Sequence, residues 1–317
     1  MPPATRKLDA DESMFFENEL RSLETKLWER RRPPFMAFQL FPVSFEIDEG
    51  ADFYEWREAD VVGIARIVSN EADDIPYVDA FEKKNISQIR SIASAFKYSN
   101  QEIRAAQLAN KPLEARRRFA ASRAITLKQN QIAFAGSKKD DIKGVFETPN
   151  ASIVAAAAAA AAPNGIGWNA TSGKTADEII TDMFSLVDTP NNITNGVEMV
   201  DTLVLPIPAY NYISSLQKST ASDLTVLEFF RRVRPEITVM KASEMNSVAH
   251  PPSGAASAAS VAMAYTRSDE HLRVQIPMPE RALAPQAVNL VQKVIVESRF
   301  GGVTVYLPLS IAFMEGI

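Results

Sequence analysis

The chain has 317 residues, 46% of them apolar, with a formal net charge of −5, no cysteine and two histidines, His250 and His271. Its length allows two compact lobes. The missing thiols exclude disulfides, thiolate nucleophiles and cysteine-ligated zinc, and the acidic balance argues against a protein whose main task is to grip a nucleic-acid backbone.

Residues 1–45 read as an arm. The first seven carry charge but not the apolar core of a secretory signal. No run of eighteen apolar residues follows anywhere, so no membrane span is expected and a soluble, cytosolic protein is. Phe15, Leu20, Leu23 and Leu27 recur at helical spacings and end at Arg30-Arg31-Arg32-Pro33-Pro34. Cations suit the negative end of a helix and proline cannot continue one. The basic cluster is either a solvated helix end or a partner for an acidic neighbouring subunit.

Residues 46–98 change to a strand pattern. Phe53, Glu55 and Arg57 alternate with Tyr54, Trp56 and Glu58, the period of a two-faced ribbon. Asn70-Glu71-Ala72-Asp73-Asp74-Ile75-Pro76 interrupts it with turn residues, and residues 86–96 form the return arm. A ribbon of two strands cannot bury a core by itself, so it requires a partner surface from this chain or another copy. Asp73, Asp74 and Asp79 lack the spacing of a calcium loop, and a solvated loop is expected there rather than a metal site.

Ser99-Asn100-Gln101-Glu102 marks a helix start, with a capping residue and an acidic first turn. Pro112 fits the first turn of a second helix, which continues to Gly136. Two dozen helical residues would span on the order of 35 Å at ~1.5 Å each, the dimension of a structural backbone. In it Leu113, Ala120, Ala124, Leu127 and Phe134 are expected to form the apolar face. Arg116, Arg117, Arg118, Arg123 and Lys128 cover the rest, in contact with solvent, another subunit or an interior surface.

The alanine-rich run at 155–162 reads as an exposed insertion with a short helical turn. Gly173-Lys174-Thr175 resembles the end of a phosphate loop, but Trp168 stands where that motif needs its first glycine. The expectation is instead a helix start capped by Thr175, with Asp177 and Glu178 in its first turn. From 175 to 268 short apolar strands alternate with helices, which predicts an α/β lobe with a mixed sheet. The remaining strands, around 271–276, 290–297 and 303–307, most simply complete a sheet begun before that lobe. Arg299-Phe300-Gly301-Gly302 marks a turn or a close backbone approach.

Several of these features, taken in order, resemble the major capsid proteins of tailed bacteriophages with the Hong-Kong-97-type fold. The carriers are Gly50-Ala51-Asp52-Phe53-Tyr54-Glu55-Trp56, Asp73-Asp74-Ile75-Pro76-Tyr77-Val78-Asp79, the long helix ending Phe134-Ala135-Gly136, and Gly144-Val145-Phe146 with Pro149-Asn150. Leu203-Val204-Leu205-Pro206 and Arg299-Phe300-Gly301-Gly302-Val303 complete the set. The resemblance implies an α+β fold in four parts. These are an N-terminal arm (1–45), an extended β-hairpin loop (46–98), a peripheral domain with a spine helix (99–171 and 269–317) and an inserted axial domain (172–268). It also implies many copies assembled as hexamers and pentamers of an icosahedral shell around double-stranded DNA, made in the bacterial host cytoplasm, with portal or decoration proteins as further partners. No catalytic residue, cofactor or metal belongs to that reading. Its residues of interest lie at subunit interfaces: Tyr54 and Trp56, expected to anchor the hairpin to a neighbour, and Arg116, Arg117 and Arg118. The rivals are an encapsulin-type nanocompartment shell, which shares the fold, and a hydrolase using paired carboxylates or Ser with Lys. Scarce histidine and the lack of a glycine-flanked nucleophile weigh against the enzyme.

Overall fold

A computed structural model describes residues 33–317 apart from 63–78, 109–112, 160–165, 170, 172, 220–221, 249–250 and 254–258. The helix expected within the arm, the acidic tip at Asp73 and Asp74, the Pro112 helix start and His250 lie outside the described residues. In chain order the elements begin with α1 (Ala37–Leu40), β1 (Val43–Ser44), β2 (Phe53–Val62), β3 (Asp79–Gln88), β4 (Arg90–Ser99), α2 (Asn100–Leu108) and α3 (Leu113–Ala135). Next come β5 (Ser152–Ala155), α4 (Ala176–Ile193), β6 (Thr202–Pro206), α5 (Ile207–Ser215), β7 (Gln217–Ser219), β8 (Ser222–Thr225), α6 (Val226–Val233) and β9 (Thr238–Ala242). The last seven are β10 (Val261–Tyr265), β11 (Leu272–Gln275), β12 (Met278–Ala282), β13 (Gln286–Val288), β14 (Val291–Phe300), β15 (Val303–Val305) and β16 (Ile311–Glu315).

The centre is a mixed sheet in the order β5-β16-β10-β6-β9. Period-two alternation sends each strand's residues into two different cores. Val261, Met263, Tyr265, Val204, Ile311 and Phe313 face α1, the end of α3 and strands β11 and β15. Ala262, Ala264, Ala312, Leu203, Leu205 and Met314 face the other way, toward Ile179 and Met183 of α4, Ile213 of α5 and Phe230 of α6. Three alanines on the second face let the helices come close to the sheet. Helices α4 and α6 each begin with a capping box, Thr175 with Glu178 and Thr225 with Glu228, as expected for Thr175. On the first face the Tyr265 hydroxyl donates to the Leu40 carbonyl at 2.5 Å, and burial pushes its phenol pKa up.

Helix α3 lies on a second sheet, in which β14 pairs with β4 along one edge and with β12 and β13 along the other. Here the structure corrects the expected helix face. Ala121, Ile125 and Gln129 turn to the sheet, the first two meeting Val296, Ile92 and Phe96, while Ala120, Ala124 and Leu127 are exposed and Phe134, as expected, is buried. Apolar residues are spread almost evenly round this helix, so periodicity alone could not choose its buried side. Its C-terminal end is clamped by Asn130, which accepts from Ala37 N at 2.9 Å and donates to Glu244 Oε1 at 2.7 Å. Gly136 ends the helix at φ +68°, a left-handed cap that suits glycine.

Three further expectations change. The return arm placed at 86–96 is divided: β3 stays in the hairpin, and β4 leaves it to pair with β14 over ten residues. The stretch just before the alanine run forms an unexpected strand, β5, on the edge of the central sheet, and Ala155, the first alanine of the run, is its last residue. Of the terminal strands, β12 to β14 do build onto β4. However, β16 enters the central sheet between β5 and β10, because all its positions but the last are apolar and buried. Gly302 satisfies both readings made of it: its φ is +78°, and a side chain there would stand 2.4 Å from the Lys143 carbonyl oxygen.

Candidate functional site

The hairpin β2–β3 is antiparallel from Phe53 opposite Gln88 to Val62 opposite Asp79, and among the described residues it pairs with no other strand. Directly opposed residues share a face, so one side carries Tyr54 with Ser87, Trp56 with Asn85 and Glu58 with Lys83. The other carries Phe53 with Gln88, Glu55 with Ile86 and Arg57 with Lys84.

The first side turns inward at its base. Tyr54 stacks on Trp56 with centroids 5.7 Å apart, Trp56 meets the Tyr306 ring edge-on at 5.9 Å, and the two tyrosine hydroxyls are 2.9 Å apart. Gln275 Nε2 donates to the Tyr306 hydroxyl at 3.1 Å, and Ser87 Oγ donates to the Gly301 carbonyl at 3.2 Å. Burial, then the Tyr54 hydroxyl, pushes the Tyr306 pKa up. Tyr54 and Trp56, expected to reach a neighbouring subunit, therefore fix the hairpin to its own chain. Further along, the same side roofs a groove of about 420 Å³ lined by Trp56, Lys83, Asn85, Lys143, Asn150 and Leu309, among others. The second side points to solvent. Lys84 pairs with Glu55 at 2.6 Å and Arg57 with Glu82 at 3.4 Å, leaving Phe53 and Ile86 exposed between them.

The three arginines part company. Arg116 and Arg118 are exposed, whereas Arg117 turns back into its own chain. It donates to the Lys97 carbonyl at 2.6 Å and grips both oxygens of Glu102 at 3.0 and 3.1 Å. That hydrogen bond, with a second from the Ser99 N–H, holds the Glu102 pKa at about 2.

Sequence reasoning missed two constellations. Lys174 and Asp182 form a buried ion pair, and Asp182 also accepts from Trp168 Nε1 at 3.0 Å and from Ala157 N at 3.2 Å. This node ties the segment before α4 to that helix. The cue was present: Lys174 precedes the capping residue Thr175, and Asp182 is the one acid on an otherwise apolar helix face. His271 Nε2 meets Glu198 Oε2 at 2.7 Å and leaves its Nδ1 buried without a partner among the described residues. No spacing in the sequence joins those two. Among the described residues no group of three potential ligands could hold a metal, and no helix is long and apolar enough to cross a membrane.

A coreless ribbon, a long helix with an exposed outer face and a doubly buried mixed sheet describe a subunit whose work is assembly, a shell protein of the Hong-Kong-97-type fold. The model of the major capsid protein family matches residues 63–317, and the chain belongs to that family. It is similar in structure to the capsid of Myoviridae phage XM1, with a TM-score of 0.80 at 15% identity over 97% of this chain and 100% of that one. A Mycobacterium phage Bobi structure follows at 0.62 and 13% identity, covering 94% and 95%. The capsid of a native GTA particle follows at 0.59 and 12%, covering 99% of each chain. Identities this low carry the fold alone. No curated protein matches the sequence. The role of the chain is structural: copies of it assemble into the capsid shell of a virion.

Proposed function

We propose that the subunits associate as hexamers and pentamers of an icosahedral shell that encloses double-stranded DNA, after synthesis in the host cytoplasm. The observation that carries this reading is the hairpin. It extends ten residue pairs without a core and exposes Phe53, Phe81 and Ile86, so its stable state lies across another copy. We keep the division into arm, hairpin loop, peripheral and axial domains, with β5 and β16 reassigned to the axial sheet. Arg116 and Arg118, with Lys128, are exposed on the helix and would meet a neighbour or the lumen. The net charge of −5 fits a container that holds DNA without gripping it. Portal and decoration proteins would meet the finished shell.

Sedimentation and negative-stain microscopy of the purified protein test the reading. Uniform hollow particles are expected, with packaged DNA in those recovered from infected cells. A small oligomer under every condition would overturn it, and particles filled with protein cargo would favour a nanocompartment.

A further inference from the structure

The helices that cover the central sheet carry, on their outer side, two aromatic rings with cations drawn onto them. Tyr210 of α5 and Phe229 of α6 are half-buried there. Lys218 of β7 sets its ammonium 3.5 Å from the centre of the Phe229 ring, and Lys241 of β9 stands 5.2 Å from that of Tyr210. Arg231 of α6 donates to the Tyr210 hydroxyl at 3.4 Å, and Arg232 beside it is exposed. Helix α6 packs on α5 and β7, and α5 on β9, which brings these side chains onto one surface. A ring face attracts a cation and so fixes where a flexible lysine rests.

Among the described residues none of these four cations meets a carboxylate. Elsewhere the chain matches many of its charges, Lys84 with Glu55, Arg57 with Glu82, Arg273 with Glu46 and Arg299 with Asp52. Even Arg234, one residue beyond α6, holds Asp188 at 2.8 Å and Glu236 at 3.6 Å. The elements that build the surface, α5, α6, β7, β8 and β9, offer two acids. Glu228 is taken up in the capping box of α6, which leaves Asp223. In a chain with a net charge of −5, the surface is a local reversal of sign.

We infer that this surface is a contact for the phosphate backbone of nucleic acid. The inference rests on the shell reading above, which supplies double-stranded DNA as the polyanion. The guanidinium fork of arginine matches phosphate oxygens, and lysines held over rings present point charges already in place. Rings covered by their own lysines are not free to stack on bases, so the contact answers to charge and not to sequence. An acidic face of a second copy fits less well, because many exposed carboxylates are already held by cations of their own chain. The acidity of the rest of the chain keeps the attraction local. DNA would be held weakly, and less as salt rises.

The test is fluorescence anisotropy of a labelled duplex of arbitrary sequence, titrated with the full-length protein before assembly, when no shell wall hides the surface. At ~0.9 for each phosphate neutralised, four contacts give a slope of about −3.6 in log affinity against log salt. Lys218→Gln, Arg231→Gln, Arg232→Gln and Lys241→Gln together are expected to weaken binding at least about tenfold at low salt and to flatten that slope. Glutamine at Arg57, Lys83, Lys84 and Arg281, cations that are already paired, removes the same charge and should leave the affinity near wild type. Equal losses in the two variants would mean attraction by net charge alone and would overturn the inference. So would a wild-type protein that ignores the duplex, or polyglutamate that displaces it as well as unlabelled duplex does. Sedimentation of the same proteins judges the shell reading separately, since particles can form whether or not this surface holds DNA.

Discussion

Strands β6 and β10 are buried at every position, whereas β2 and β3 bury little beyond the base of their ribbon. The central strands carry no charge, whereas β2 and β3 mix their aromatics with charged residues along both strands, and the number of covered faces follows that difference. The central sheet has a core on each side and is finished within one chain. The hairpin has its own chain on part of one side, and on the function proposed above another copy covers the rest. On that reading fold stability resides in the sheet and association in the ribbon. Substitutions in the two regions should fail in different assays.

The largest effect is expected at Asp182, on the helix that covers the central sheet. Asp182→Ala would remove the carboxylate that meets the Lys174 ammonium, which is 5% exposed. Breaking one side of such a pair destabilises by about 3–5 kcal/mol. In urea the midpoint should fall with little change in slope, and Lys174→Met combined with Asp182→Leu should recover much of the loss. An unchanged midpoint would remove this node from the account of the sheet's stability. Gly302→Ala comes next. A methyl group would press on the Lys143 carbonyl at a backbone angle L-residues avoid, a strain of about 1–3 kcal/mol visible as a lower melting temperature.

Trp56→Ala tests the ribbon. Each lost aromatic contact, with Tyr54 and with Tyr306, contributes about 0.5–1.5 kcal/mol. The far-ultraviolet circular dichroism should stay close to wild type, because no sheet core is touched, and the urea midpoint should fall by no more than those two contacts account for. Particle yield should fall, since a hairpin loosened at its base presents its outer end in many orientations. Normal yield together with intact spectra would sink the division of labour between the two regions.

How much of this could be read in advance follows from the same contrast. The central strands were legible because runs such as Val261-Ala262-Met263-Ala264-Tyr265 allow little but burial on both faces. The hairpin was legible from its alternation, and the Thr175 cap from its reach to Glu178. What failed depended on contacts far apart in sequence. The buried face of α3 was misassigned because alanines and isoleucines surround that helix. Nothing local said that β16 would enter the central sheet or that β4 would abandon the ribbon for β14. The site residues divided on the same principle. Tyr54 and Trp56 were recognisable as an aromatic pair on one face, but their partner Tyr306 lies some 250 positions away, as the 252-residue separation of the two hydroxyl-bearing residues records.

The smallest expected effect lies outside both regions, on the second sheet, where Arg117 of α3 grips Glu102 of α2 and the end of β4. Hydrogen bonds from Arg117 and from the Ser99 N–H hold the Glu102 pKa at about 2, below its ordinary 4.5. A carboxyl held down in this way stabilises the fold fully above pH 4.5, and the contribution disappears as the pH falls toward 2. Because Glu102 is exposed and salt screens such a pair, the contribution is modest. Wild type should melt slightly above Glu102→Gln near neutral pH, and the difference should close in acid and shrink at high salt. A difference that widened in acid would mean that the carboxylate opposes the fold, and that α2 is held to the sheet by something other than Arg117.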